Sequence, residues 1–229
     1  MAKVKRIAII PARGGSKRIK NKNIINFFGK PMIFYAINAL KKSKFFEKIH
    51  VSTDSKKIFN LVERRELKID FLRSKEKSRD EVGMEEVVKF VINKYKKAKV
   101  NFDEIWLVYA TNPFIKKKYL YEAYKKYLKY NKQKTVLTVT KFESPIEKAL
   151  NYKKKLLHPI FPKKIKKRSN FFKPKFVDAG MFVIYQKDYF LKKSKKKFVP
   201  YNISNLESVD INDRSDLNRA EKIFKFKKN

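Results

Sequence analysis

The first apolar run of the chain leads directly into a basic loop, and this pairing limits the fold more than any other feature. Residues 6–10 are mostly β-branched or small apolar residues, which is typical of a buried strand. Residues 11–23 follow with two glycines, a serine and five cationic side chains. Ligands of open α/β sheets bind at the carboxyl ends of strands, so we expect this loop to bind a polyphosphate. It lacks the Gly-Lys-Ser/Thr ending of a P-loop and the Gly-x-Gly-x-x-Gly pattern. The alternative is a basic surface turn in a Lys-rich chain.

Strand and helix signals alternate along the rest of the chain. This order predicts one α/β domain over residues 1–229, with a mainly parallel, Rossmann-like sheet and helices on both faces. Residues 142–175 break the pattern with four prolines and several Lys runs, which indicates a small protruding excursion or flap. Strands are predicted at residues 5–10, 48–53, 69–72, 104–109, 135–140, 176–185 and 207–211. Helices are predicted at residues 31–42, 55–66, 84–97, 117–130 and 213–226, with Asp54 or Ser55 as the cap of the second.

Composition excludes several classes of function. The chain has no cysteine and only two histidines, which excludes disulfides and thiol catalysis and leaves little support for a zinc site. It has neither a run of eighteen apolar residues nor a signal-peptide profile, so we expect no membrane span and a cytoplasmic location. The net charge is +37, but only ten of the 59 basic residues are Arg and they are spread along the chain. We therefore expect general attraction of anions and no specific nucleic-acid partner.

The basic loop carries the pattern of a known family. Residues 13, 16, 17, 22 and 23, with residues 29–33 and 51–54, resemble the cytidylyltransferases that activate acidic nine-carbon sugars. The resemblance implies CTP as a substrate and a nucleotidyltransferase sheet. Leu72-Arg73 matches a further element, although Ser74 replaces the usual proline. The implied nucleotide-binding residues are Ala12, Arg13, Gly14, Gly15, Ser16, Lys17, Lys22, Asn23, Arg73 and Asp80. Arg13 and Lys22 are expected to hold the triphosphate and to stabilise charge on the leaving group.

The same resemblance implies a Mg²⁺ site near the C-terminus. The family carries Asp-x-Asp there, and this chain has Asp210 followed by Asn212 and Asp213. Carboxylate oxygens suit Mg²⁺, which offsets charge on the transferred phosphorus. Asn212 removes one formal charge, so either Asp213 is recruited, metal affinity is lower, or activity is impaired. Asp213 and Asp216 also have a structural alternative, as residues that favour the start of the final helix.

Four local features resemble the branch of the family that acts on pseudaminic acid. These are residues 17–19, 109–114, 145–150 and 176–180. The implied reaction is transfer of CMP from CTP to the anomeric hydroxyl of a nonulosonic acid, with release of pyrophosphate. The sugar oxygen would attack the α-phosphorus directly, and the proton acceptor is either a metal-bound hydroxide or a nearby carboxylate. The residues expected to border the sugar are Thr111, Pro145, Lys148 and Asp178.

Two alternatives remain open at this point. One is a sister enzyme for N-acetylneuraminic or legionaminic acid, while Lys22-Asn23 disfavours a Kdo-type acid. The other is a cationic nucleotide- or nucleic-acid-binding relative that has lost turnover, and the change at Asn212 supports it. The resemblance also implies a homodimer in which residues 142–175 reach the partner.

Overall fold

The fold is described by a computed structural model that covers residues 4–130, 134–192 and 197–227. Its main sheet has six strands. They are β1 (Arg6–Pro11), β4 (Lys48–Ser52), β5 (Glu104–Val108), β6 (Thr135–Lys141), β9 (Phe176–Gln186) and β10 (Phe198–Asn202). Two short pairs lie outside it: β2 (Asn26–Phe27) with β3 (Lys30–Pro31), and β7 (Leu150–Lys153) with β8 (Leu156–Pro159).

The main sheet is mostly parallel, as predicted. Its strand order is β10-β6-β9-β5-β1-β4. Strand β1 runs parallel to both β4 and β5, and β10 runs parallel to β6. Strand β9 is antiparallel to both of its neighbours, β5 and β6. The carboxyl ends of β1, β4 and β5 therefore meet at one edge, where the basic loop begins.

Helices cover both faces of this sheet, which confirms the predicted layers. The helices are α1 (Ile33–Ser43), α2 (Lys56–Glu63), α3 (Met84–Lys97), α4 (Lys117–Lys129), α5 (Lys187–Leu191) and α6 (Arg214–Phe226). Alternate residues of β1 enter two cores: Ala8 and Ile10 pack with α1, α2, α4 and α6, whereas Ile7 and Ile9 pack with α3 and α5. None of the described helices combines the length and hydropathy needed to cross a bilayer.

Four details of the prediction were wrong. Residues 69–72 and 207–211 form no strand; Ile69, Val209 and Ile211 are buried without joining the sheet, so burial alone produced their apolar pattern. Strand β10 was not predicted because it contains Pro200, which is tolerated at this edge of the sheet. Pro31, expected in the first turn of a helix, instead pairs with Asn26, and α1 begins at Ile33.

The excursion predicted at residues 142–175 contains a small hairpin. Strands β7 and β8 pair antiparallel, and Lys154 and Lys155 turn the chain with positive φ angles of 52° and 63°. All eight strand residues are exposed. A two-stranded hairpin with no buried face has little stability of its own, so this element is a candidate for contact with another surface.

Candidate functional site

The basic loop after β1 is tied to the end of the neighbouring strand β4. The Ala12 amide donates to the Ser52 carbonyl at 2.9 Å, and the Gly14 amide donates to Asp54 Oδ1 at 2.9 Å. A Cβ atom on Gly14 would lie 2.9 Å from the Cβ atom of Ser55, so this position requires glycine. The Gly14 amide is therefore hydrogen-bonded to Asp54, although Gly14 was predicted to bind the nucleotide.

The two candidate caps of α2 have different roles. Ser55 caps the helix, because its Oγ accepts a hydrogen bond from the Ile58 amide. Asp54 instead anchors the basic loop through Gly14. The buried Asn23 anchors the same loop from its other end, where its Nδ2 donates to the Arg13 carbonyl at 3.0 Å. The loop is thus held on both sides before any ligand binds.

A cavity of about 450 Å³ opens beside this loop, at the carboxyl ends of β1 and β5. We call it the first cavity. Its lining contains seven of the predicted nucleotide-binding residues: Arg13, Ser16, Lys17, Lys22, Asn23, Arg73 and Asp80. Thr111, Asp210 and Asn212 also line it, whereas Ala12, Gly14 and Gly15 do not. Residues far apart in sequence therefore converge on one basic cavity.

Asp80 bridges the two cations at the mouth of the first cavity. Its carboxylate forms ion pairs with Arg13 and with Lys17, the latter at 2.5 Å. Hydrogen bonds from Lys17 and Arg13 hold the pKa of Asp80 below its usual range. A triphosphate entering the cavity would compete with this carboxylate for both cations.

Two further cations of the first cavity are partly withdrawn from water. Burial lowers the pKa of Lys22, and burial also lowers the pKa of Arg73. The Arg73 side chain is oriented by a hydrogen bond from its Nε to Ser78 Oγ at 3.0 Å. Cations with reduced hydration gain more from an incoming anion than fully exposed ones, so both are suited to bind phosphate.

Asp210 is held where the first cavity approaches β9. Its Oδ1 accepts from Thr111 Oγ1 at 2.7 Å, and its Oδ2 accepts from Asn212 Nδ2 at 3.0 Å. Asn212 Oδ1 in turn accepts from Lys22 Nζ at 3.1 Å. Gly180 permits this position of Asp210: its φ is +60°, and a Cβ atom there would lie 2.6 Å from the Cβ atom of Asp210. One carboxylate, one amide and one ammonium thus form a continuous chain.

The donor set at this point would fit a Mg²⁺ ion whose remaining ligands came from a bound phosphate compound. Asp210 supplies one carboxylate that Thr111 and Asn212 orient, and a metal would share the Asn212 amide oxygen with the Lys22 ammonium. Across the described ranges, no group of three or more His, Cys, Asp or Glu side chains is gathered as a metal cluster. Mg²⁺ commonly binds through one or two carboxylates together with phosphate oxygens, so the single carboxylate is compatible with it.

Asp213 has the structural role that the sequence offered as its alternative. Its Oδ1 accepts from the backbone amides of Ser215 and Asp216, and the Asp216 carboxylate accepts from the Asp213 amide. This is a capping box at the start of α6. Asp213 does not line the first cavity, so the structure does not bring it together with Asp210 as an alternative ligand.

A second cavity of about 480 Å³ adjoins the first, and Asp210 lines both. The second cavity contains Asp178, one of the predicted sugar-site residues. Burial raises the pKa of Asp178, and the nearby Asp210 raises it further. Pro145 and Lys148 line neither cavity; the Lys148 ammonium donates to the Ile165 carbonyl within the excursion. Their assignment to the sugar stays a prediction.

Several side chains at these cavities received no role from the sequence, and three of them are polar groups close to the proposed site residues. Tyr109 lines the first cavity just beyond β5, and Lys141 and Arg219 line the second. Tyr109 could have been found from its place at the carboxyl end of a predicted strand. Arg219 carried no signal, because it lies on a helix face that reads as ordinary basic surface.

Comparison with known proteins decides the family. The model of a family described as cytidylyltransferase matches residues 7–209 of the chain. This chain belongs to the cytidylyltransferase family. Membership over most of the chain confirms the resemblance first seen in the basic loop.

Individual relatives support this assignment. The cytidylyltransferase is 33% identical over 230 residues to the pseudaminic acid cytidylyltransferase of Campylobacter jejuni, with 97% of each chain covered. It is 30% identical over 226 residues to the N-acylneuraminate cytidylyltransferase of Escherichia coli, which covers 95% of this chain and 52% of that one. A solved structure of CMP:2-keto-3-deoxy-manno-octonic acid synthetase complexed with CTP superposes with a TM-score of 0.73 at 14% identity, covering 97% and 99% of the two chains. That likeness supports the fold.

Proposed function

We propose that this cytidylyltransferase transfers CMP from CTP to the anomeric hydroxyl of a nonulosonic acid, with pseudaminic acid as the preferred acceptor, and releases pyrophosphate. The observation that carries the proposal is the convergence of seven basic side chains and Asp210 on a cavity large enough for a nucleotide. The 33% identity to a pseudaminic acid cytidylyltransferase, over nearly the full length of both chains, supports this acceptor.

Different residues that line the first cavity have different roles in this reaction. Arg13, Lys17 and Lys22 neutralise the triphosphate, and the leaving pyrophosphate remains beside Arg13 and Lys17. Arg73 adds a partly desolvated cation in the same wall. Asp210 and Asn212 would hold a Mg²⁺ ion, which, when bound, offsets negative charge on the phosphates. Cavity walls that are fixed before binding keep the two substrates in line for direct transfer.

The proposed acceptor site is the second cavity. It joins the first at Asp210, so an acceptor there would meet the α-phosphate at the boundary between the cavities. Thr111 and Asp178 lie on the two sides of this boundary. Separate cavities for donor and acceptor favour direct transfer without a covalent enzyme intermediate.

We also propose that the protein forms a homodimer through the excursion at residues 142–175. Strands β7 and β8 expose Leu150, Tyr152, Leu156 and Leu157, with exposed fractions from 45% to 69%. A second copy would cover an apolar surface that no element of the described chain covers.

One alternative acceptor has a specific observation in its favour. The 30% identity to an N-acylneuraminate cytidylyltransferase supports an N-acylneuraminic acid as acceptor. The same scaffold would serve, because the donor cavity does not depend on the distal carbons of the sugar.

Pyrophosphate release tests these assignments. Purified protein is supplied with CTP, Mg²⁺ and, in parallel, pseudaminic, N-acetylneuraminic, legionaminic or Kdo acid. We expect the highest kcat/KM with pseudaminic acid. Preference for another acid would replace the acceptor but keep the reaction. Absence of release with all four, from folded protein that binds CTP, would favour a binding protein that has lost turnover. Arg13→Gln is the matched variant, because it should abolish turnover while weak nucleic-acid binding changes little.

A further inference from the structure

The second cavity needs a cation if it is to bind an acid. Its wall carries three carboxylates, Glu143, Asp178 and Asp210. An anionic ligand would be repelled from such a wall unless a positive side chain offset it. Lys141 and Arg219 are the basic residues in the lining. Within the described chain, these two are the side chains that can face the negative charge of the ligand.

Arg219 is available for this role. It lies on α6, is exposed, and has no ion pair within residues 4–130, 134–192 and 197–227. Asp216, three residues earlier on the same helix, uses its Oδ2 to accept the backbone amides of Asn212 and Asp213. That hydrogen bonding belongs to the helix start and leaves the Arg219 guanidinium without a competing partner.

The chemistry of the acceptor places its carboxylate near Asp210, in the cavity that Arg219 also lines. In a nonulosonic acid, the carboxylate is attached to the anomeric carbon, whose oxygen attacks phosphorus. The carboxylate therefore lies within a few ångströms of the reacting atoms, and so close to Asp210. Arg219 and Asp210 line the same cavity. A guanidinium can donate two parallel hydrogen bonds to a carboxylate, whereas an ammonium acts as a point charge.

We propose that Arg219 recognises the carboxylate of the acceptor sugar. This inference rests on the proposed function and adds the residue that makes the enzyme specific for acids. Loss of the guanidinium would weaken binding of the sugar without altering the loop that holds CTP, because Arg219 does not line the first cavity.

The test compares Arg219→Gln with Arg214→Gln, an exposed arginine on the same helix that lines neither cavity. For Arg219→Gln we expect the KM of the preferred acid to rise about tenfold to a hundredfold, as for loss of a charged hydrogen-bonding pair. The KM of CTP should stay within about twofold, since the CTP site is intact. Arg219→Lys should recover part of the loss, and Arg214→Gln should behave as wild type.

Two further measurements make the result independent of turnover. Calorimetric titration of the acid into wild type and Arg219→Gln measures binding directly. The same titration with the methyl ester of the acid measures binding of a ligand that lacks the negative charge. We expect wild type to prefer the acid and Arg219→Gln to lose that preference. Equal binding of the acid by both proteins, or a loss confined to Lys141→Gln, would overturn the assignment of Arg219. Wild-type binding of the acid without pyrophosphate release would instead overturn the proposed function.

Discussion

At the scale of single residues, Asn212 most affects the chemistry of the site, because it replaces the second carboxylate of the Asp-x-Asp pattern. It lies between Lys22 and Asp210, at 3.1 Å and 3.0 Å, and bonds to both through its two amide atoms. Because the amide is neutral, it orients the ammonium without forming an ion pair with it. It also leaves Asp210 as the single carboxylate at this point. The site therefore keeps Lys22 free of an ion pair and has one carboxylate fewer than the Asp-x-Asp pattern.

We predict that Asn212→Asp increases affinity for divalent metal. A second carboxylate adds a formal charge and an oxygen ligand, and the new ion pair with Lys22 offsets part of the gain. We expect Mn²⁺ to bind roughly tenfold more tightly, measured from the loss of the free Mn²⁺ signal in electron paramagnetic resonance. Asp213→Asn is the control, because Asp213 caps α6 outside the cavity. Unchanged Mn²⁺ binding in Asn212→Asp would place the metal away from Asp210.

Residues that fall within short family patterns were the ones that the sequence could assign. Arg13 to Asn23 lie in one loop, and a local pattern there identified five of the seven predicted nucleotide-binding residues that the structure brings to one cavity. The pairing of Asp80 with Arg13 and the position of Arg219 depend on how distant elements pack. Asp80 itself was predicted from the family pattern, but no local pattern shows that it pairs with Arg13, and Arg219 lies on a helix face typical of ordinary basic surface.

At the scale of elements, the central strands were predictable and the edges were not. Strands β1 and β5 are continuous apolar runs because both of their faces are buried. Edge strand β10 has alternating exposure and a proline, which weakened its signal. The sequence also did not predict the register shift between β6 and β9. In this part of β9, Gly180 leaves room for the side chain of Asp210. The geometry of the site thus depends on a sheet defect that a strand pattern does not reveal.

The hairpin of β7 and β8 has a proposed role, as the dimer interface, that substitutions can test directly. Leu156 and Leu157 have exposed fractions of 63% and 62% and lie on opposite faces of β8. We predict that the double variant Leu156→Glu/Leu157→Glu sediments as a monomer, because a buried carboxylate at each position would oppose association. Analytical ultracentrifugation measures the change. Lys153→Glu, on the exposed β7, alters charge without removing apolar surface and should remain dimeric. A monomeric wild type would contradict the proposed interface.

At the scale of the whole molecule, a few buried carboxylates hold distant parts of a highly basic chain together. Glu207 is 3% exposed and forms ion pairs with Lys116 at 2.7 Å and with Lys227 at 2.5 Å. Tyr119 donates a further hydrogen bond to it. These partners come from the start of α4 and from the end of α6. In a chain of net charge +37, such a carboxylate joins lysines that would otherwise repel one another.

The pKa of Glu207 links this cluster to pH. Burial alone would raise the pKa, but hydrogen bonds from Lys116, Lys227 and Tyr119 outweigh it and lower the pKa to about 2. The unfolded chain has the ordinary value near 4.5. Because the folded pKa is the lower one, the stabilisation is complete above about pH 4.5 and is lost as the pH falls towards 2.

We predict that Glu207→Gln lowers the free energy of unfolding at pH 7 by about 1–3 kcal/mol. The loss is limited because Lys116 and Lys227 are partly exposed and water screens their charges. The difference from wild type should shrink between pH 4.5 and pH 2, because protonation of Glu207 in the wild type removes the same charge. Urea unfolding at pH 7 and pH 3 measures both values. Glu221→Gln, on α6 away from this cluster, should match wild type at each pH. A loss of stability that persisted unchanged at pH 3 would assign it to packing of the side chain rather than to its charge.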